Sequence, residues 1–89
     1  MMTVEIVDIM QISRMLDEIG VDRGVPKNIR SLVQEARGNI NNPKLERAVK
    51  INAAISILDE VSNDPNIPTY TRTQIWNIVS LLEVANEQR

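Results

Sequence analysis

Two adjacent pairs of acidic residues are the first positions in this sequence whose types could do chemistry. Asp17 and Glu18 form one pair, and Asp59 and Glu60 form the other. Two carboxyl groups can share acid and base roles when burial drives their pKa values apart. Neighbouring residues on a helix, however, diverge by about 100° and cannot face one another. We therefore interpret both pairs as solvated surface rather than as a catalytic dyad.

The sequence contains no Cys and no His, which removes most of the remaining catalytic and metal chemistry. Disulfides, thiolate zinc sites, thiol nucleophiles and imidazole bases are all excluded. Asp22 and Asp64 lie in segments without the spaced Asp and Gly pattern of a calcium loop. We predict a non-enzymatic protein with no metal and no cofactor.

A repeated pattern pairs an Asp with an Arg eight residues later. The segment "LDEIGVDRGVPKNIR" starts at residue 16 and "LDEVSNDPNIPTYTR" at residue 58, an offset of 58 − 16 = 42. The pattern places Asp22 with Arg30, and Asp64 with Arg72. Asp followed by Pro and Asn is typical of a type I turn, and the Arg can bond the Asp or the loop carbonyls. We interpret both Asp–Arg pairs as structural turn pairs. An Arg that did not bond its turn would be available to hold an anion.

The apolar residues on both sides of this pattern match at the same offset, which indicates an ancient tandem duplication within one domain, residues 1–89. Repeat 1 spans about residues 4–40 and repeat 2 about 43–87. Apolar positions in each repeat step by three, four and three, as in a packed helix and unlike a strand. The predicted helices are 3–20, 26–38, 43–62 and 68–87. Pro26 and Pro68 start two of them, Gly38 ends one, and Asn42 caps the next with Pro43 at its first position.

Four amphipathic helices with short connections predict an all-α fold, a four-helix up-and-down bundle built from two duplicated helical hairpins. A two-helix repeat near 42 residues is also typical of HEAT and armadillo solenoids. The spacing from Asp64 to Arg72 is longer than the turn of a HEAT unit, and a solenoid normally needs about three units. We favour the closed bundle.

Three residues are candidates for a protein interface. Ile55 lies on the third helix, which is apolar around most of its circumference and is therefore either central in the bundle or covered by another chain. Trp76 replaces the Gln34 of the first repeat; it either caps an enlarged core, the interpretation we favour, or anchors an interface. Tyr70 likewise replaces Asn28. The expected partner is a second copy of the chain or an unidentified protein.

Basic residues concentrate in the middle of a chain whose net charge is −2 and whose isoelectric point is about 5.0. They could form a patch for phosphate groups, so an anion or nucleic-acid binder is the alternative function. Trp76 and Tyr70 are the only aromatic residues, which leaves no stacking platform for single strands, and nucleic acid is disfavoured as a partner. The segment contains Arg23, Lys27, Arg30, Arg37, Lys44, Arg47 and Lys50.

The segment "ILDEVSNDPNIPTYTRTQIWNIVSLLE", residues 57–83, resembles the most characteristic part of a family of small uncharacterised archaeal proteins that are all helical. The resemblance covers nearly the whole chain and implies a compact four-helix fold in an archaeal cytoplasmic protein. It implies no catalytic residue, substrate or cofactor. No apolar run approaches the roughly 20 residues of a membrane span, and a basic segment followed by an apolar signal core is absent, so we also expect a soluble cytoplasmic protein.

Overall fold

The structure is a computed structural model that describes residues 8–87. It contains four helices in this range and no strand: α1, Ile9–Gly20; α2, Lys27–Ile40; α3, Arg47–Ser62; and α4, Thr69–Glu87. Each helix packs against the next, and α4 returns to contact α1, which closes the ring. The predicted all-α four-helix bundle is confirmed. None of these helices is both long and apolar enough to cross a membrane.

Two predicted helix ends in the middle of the chain are wrong. Gly38 does not end α2, which continues to Ile40 because that side chain is buried in the core at 1% exposure. Asn42 does not cap α3, since Glu46 precedes its first residue and Pro43 lies outside it. Positions 3–7 of the predicted first helix lie outside the described residues.

The three connections between helices share one conformation. Linker 1 (residues 21–26), linker 2 (41–46) and linker 3 (63–68) each carry an Asx residue at their second position. Its side-chain oxygen accepts the backbone N–H two residues later: Asp22 from Gly24 at 2.8 Å, Asn42 from Lys44 at 2.9 Å, and Asp64 from Asn66 at 2.8 Å. This is an Asx turn, which supplies the backbone with a local partner where the helix ends. Asn42 therefore organises a turn instead of capping a helix.

The core is built from equivalent positions of the two hairpins. Leu16 on α1 and Leu58 on α3 are fully buried, and so are Val33 on α2 and Ile75 on α4. Each hairpin thus contributes the same stripe, and neither could bury it alone. The other equivalent pairs that are apolar and buried in both hairpins are Ile12 with Ala54, Ile19 with Val61, Val25 with Ile67, Ala36 with Ile78, and Ile40 with Leu82.

Helix α3 is not enclosed on all sides, although its sequence is apolar around most of its circumference. It packs between α2 and α4 and buries Ile51, Ala54, Leu58 and Val61. On its outer side Val49 is 50% exposed. The apolar character of α3 therefore reaches the surface of the single chain.

Candidate functional site

A polar cluster joins the two helices of the first hairpin. Ser13 is only 7% exposed, and its hydroxyl oxygen accepts from Arg37 Nε at 3.1 Å and from Asn41 Nδ2 at 2.9 Å. Asp17 Oδ1 accepts from Gln34 Nε2 at 3.2 Å and lies 3.9 Å from Arg37 Nη1. Because Arg37 also donates to the Ser13 carbonyl, this basic residue is committed to holding α1 against α2.

Three of the five residues in this polar cluster are replaced by apolar residues in the second hairpin. At the offset of 42 residues, Ile55 replaces Ser13, Trp76 replaces Gln34 and Val79 replaces Arg37. Ile55 is partly buried and packs against the core, and Val79 is 9% exposed. The two hairpins share a backbone arrangement but present different chemistry on this face.

Trp76 lies at the surface of α4 with 56% of the residue exposed. The interpretation of this tryptophan as a cap on the core is therefore wrong. Residues 73–82 carry no charged side chain, although Thr73, Trp76, Asn77 and Ser80 are exposed there. We call the outer side of α4 the Trp76 face. Its residues are exposed and follow one another at spacings of three or four, which places them on one side of the helix. They are Thr69, Thr73, Trp76, Ser80 and Val84.

Tyr70 is also exposed, at 52%, but its hydroxyl is already bound within the chain. It donates to Asp22 Oδ2 at 2.9 Å and so joins the start of α4 to linker 1. Gly24 permits this approach, since a Cβ there would stand 2.7 Å from the Tyr70 oxygen. The pKa of Tyr70 lies above its ordinary value of 10.0 because its hydroxyl donates to a carboxylate.

Tyr70 is the single tyrosine of the chain, so its ionisation can be followed without ambiguity. We expect tyrosinate absorbance to appear at a higher pH in the folded protein than in urea. Asp22→Asn, which keeps the acceptor of the Asx turn and removes the charge, should lower that midpoint. Folding favours the neutral phenol, so this stabilisation is complete below the unfolded pKa and is lost as pH rises through the folded one. Equal midpoints in the two proteins would contradict the assignment.

The two repeated Arg residues behave differently. Arg72 Nε donates to the Ser62 carbonyl at 3.0 Å and its Nη2 to the Asp64 carbonyl at 2.9 Å, which closes the turn between α3 and α4. The turn pair of Asp64 and Arg72 is therefore formed through backbone carbonyls. The Arg30 side chain makes no hydrogen bond within residues 8–87, and its Nε is buried without a partner. The predicted turn pair of Asp22 and Arg30 is not formed, because the Asp22 carboxylate accepts from Gly24 and Tyr70 instead.

Arg30 lines an open groove of about 400 Å³ between the end of α1 and the first half of α2. The groove side of α2 carries Lys27, Arg30, Ser31 and Gln34. These are positions i, i+3, i+4 and i+7, which lie on one face of a helix. Gly20 forms the opposite wall; a Cβ there would overlap the Gln34 amide. We call this feature the Arg30 groove.

The basic residues of the middle segment do not form one surface. Lys27 and Arg30 lie at the start of α2, whose 14 residues span roughly 20 Å. Beyond its other end Arg47 donates to the Ala85 carbonyl at 3.1 Å. The remaining residues predicted for the patch at that end are Lys44, in linker 2, and Lys50, in α3.

The paired acids do not come together as a reactive site. Asp17 belongs to the polar cluster, whereas Glu18, Asp59 and Glu60 are exposed on their helices. Within residues 8–87 no three acidic side chains are arranged so that they could hold a metal ion.

Fold and surface together define a small all-α protein with a closed four-helix bundle and two diverged hairpins. The chain belongs to the uncharacterised protein family UPF0147, whose model matches residues 2–85. The predicted resemblance to small archaeal proteins of unassigned activity is thus confirmed. The UPF0147 protein of Methanothermobacter thermautotrophicus is 46% identical over 77 residues, 86% of this chain and 76% of that protein. That of Methanocaldococcus jannaschii is 51% identical over 72 residues, 81% and 77% of the respective chains.

Two crystal structures share the fold. One, of a protein of unknown function, superimposes with a TM-score of 0.83 at 43% identity and covers 90% of this chain and 96% of its own. The other, a UPF0147 protein from Thermoplasma acidophilum, gives a TM-score of 0.82 at 33% identity, with coverage of 85% and 89%. Neither description names an activity.

Proposed function

We propose that this protein is a non-enzymatic cytoplasmic module that acts by protein contact, and that its partner on the Trp76 face is a second copy of the chain. The supporting observation is the exposure of Trp76 within a charge-free run of α4. Interface centres are depleted in charged residues and enriched in Trp and Tyr. Trp is also among the residues that most often carry binding energy.

The charges on α4 favour an antiparallel pair of these helices about a two-fold axis. Glu83 and Glu87 are exposed near the C-terminal end, while Thr69 and Thr73 are exposed near the other end. In a parallel pair, Glu83 would face its own copy. Antiparallel pairing sets the acidic end of one helix against Thr69 and Thr73 at the N-terminal end of the other, where the helix dipole favours negative charge.

The same arrangement gives Trp76 a suitable neighbour. With the axis near residue 78, Trp76 of one copy meets Ser80 of the other, a large residue opposite a small one. The two tryptophans then lie roughly 6 Å apart along the helix direction. An interface formed mainly by one helix per chain is small, so we expect a dissociation constant on the order of micromolar.

The test is the molecular mass in solution, measured by light scattering and analytical ultracentrifugation over a wide range of protein concentration. We expect a dimer that dissociates on dilution and a tryptophan emission maximum that moves to longer wavelength as it does. Trp76→Lys should give a monomer at every concentration. Ser80→Arg should do the same while leaving the tryptophan in place.

Met10→Lys is the matched control, because Met10 is 70% exposed but lies on α1. It adds the same charge at an exposed apolar position away from the Trp76 face, and we expect it to dimerise like the parent. Circular dichroism should show unchanged helix content in all three variants. A parent protein that stays monomeric, or a Ser80→Arg variant that still dimerises, would refute the proposal.

A further inference from the structure

The two hairpins share an arginine on the same helix face, but its guanidinium has different partners in each within residues 8–87. The four α2 residues that line the Arg30 groove correspond, at the offset of 42, to Thr69, Arg72, Thr73 and Trp76 of α4. In the second hairpin the Arg72 guanidinium donates to two backbone carbonyls. In the first hairpin the Arg30 guanidinium has no partner within residues 8–87.

The Arg30 side chain lines the groove, and its guanidinium makes no hydrogen bond within residues 8–87. Its Nε is closed off from solvent, so a ligand in the groove would bond the two Nη nitrogens. Lys27 lines the groove on the same helix face, one turn earlier, and adds a second positive charge. Ser31 adds a hydroxyl. Among residues 8–87, none of the residues that line the groove is acidic.

We infer that the Arg30 groove binds a phosphate group, held between the Arg30 guanidinium and the Lys27 ammonium with the Ser31 hydroxyl as a further donor. Guanidinium and phosphate match in geometry, since the planar fork can donate two parallel hydrogen bonds to two oxygens. The groove is open to solvent, so the rest of a phosphate monoester could extend outward from a phosphate held there.

The structure favours a single phosphate over a nucleic-acid backbone. A strand would need several cations in a row, and affinity for it scales with the number of phosphates contacted. Arg37, the next basic residue along α2, is committed to Ser13 and Asp17. Lys44 and Arg47 lie beyond the far end of α2. Two cations without a side-chain partner in the described part of the chain suit one dianionic group.

The test is a titration of isotope-labelled protein with inorganic phosphate at constant ionic strength, followed by nuclear magnetic resonance of the backbone amides and arginine Nε–H groups. We expect shifts confined to residues near Lys27 to Gln34, together with a shift of the Arg30 Nε–H signal. Arg30→Gln should weaken binding by about tenfold or more, as expected when a charged hydrogen-bonding partner is lost. Arg30→Lys should restore only part of it, because the charge returns without the fork.

Lys44→Gln is the matched control, since it removes one positive charge at the far end of α2 and should leave the phosphate shifts unchanged. The same titration with a phosphorylated sugar and with a single-stranded oligonucleotide separates the sources of the phosphate. Absence of localised shifts, or equal shifts in Arg30→Gln, would overturn the inference. Tighter binding of the oligonucleotide at the same residues would overturn the assignment to a small phosphorylated ligand.

Discussion

Leu58→Ala is expected to lower the free energy of unfolding by about 3–5 kcal/mol. Leu58 is fully buried at the middle of the bundle, so the shortened side chain loses apolar burial and leaves a cavity. A domain of 89 residues has a total stability of roughly 4–13 kcal/mol, and this one change removes a large share of it. Urea denaturation followed by circular dichroism measures the loss directly.

Two comparisons decide whether this loss comes from the shared core. Leu16→Ala removes the equivalent side chain of the first hairpin, also fully buried, and should cost a similar amount. Val49→Ala, at a position 50% exposed on α3, should change stability by about 0.5 kcal/mol or less. If Leu58→Ala were as mild as Val49→Ala, α3 would not be packed as described.

The core was predictable because buried apolar residues leave a periodic record in the sequence. Ile12, Leu16 and Ile19 have the spacing of a packed helix stripe, and the second copy repeats it at an offset of 42 residues. Two copies of one stripe imply two hairpins that share a core, and the structure has that arrangement. The helix ends near Gly38 and Asn42 were not predictable in this way, because the residue types that cap helices are also the types that form turns.

The surface was harder to predict because exposure depends on which side of a helix faces its neighbours. Trp76 is apolar and large, which favours burial, yet its position on α4 points outward. The polar cluster of Ser13, Gln34 and Asn41 was missed altogether, since hydrogen bonds between residues far apart in sequence leave no local pattern. Asp22 and Arg30 have the spacing of Asp64 and Arg72, but spacing alone does not show that Tyr70 takes the Asp22 carboxylate.

The buried polar atoms of α4 mark another difference between the hairpins. Thr71 is fully buried, and neither its hydroxyl oxygen nor the buried side-chain oxygen of Gln74 has a hydrogen-bond partner among residues 8–87. The first hairpin has Ile29 and Leu32 at these positions. The second hairpin therefore carries polar groups at positions where the first is apolar.

Arg72→Met should lower the free energy of unfolding by about 1.5–3 kcal/mol, whereas Arg30→Met should change it by about 0.5 kcal/mol or less. The first change deprives the Ser62 and Asp64 carbonyls of a charged donor at the turn. The second removes a guanidinium that bonds nothing within residues 8–87 and whose Nε is unpaired. Methionine keeps most of the apolar stem in both cases, so the comparison isolates the charged group. Equal losses in urea denaturation would contradict the difference between the two turns.

Phosphate should make a contribution of Arg30 to stability measurable, although the free protein shows almost none. A ligand that binds the folded state stabilises it according to its concentration relative to its dissociation constant. At saturating phosphate and matched ionic strength, the parent and Arg72→Met should therefore gain stability equally, while Arg30→Met should gain about 1.4 kcal/mol less for a tenfold loss of affinity. If Arg30→Met gained as much as the parent, phosphate would be acting elsewhere on the protein. The two variants thus separate Arg72, which closes a turn, from Arg30, which we infer binds phosphate.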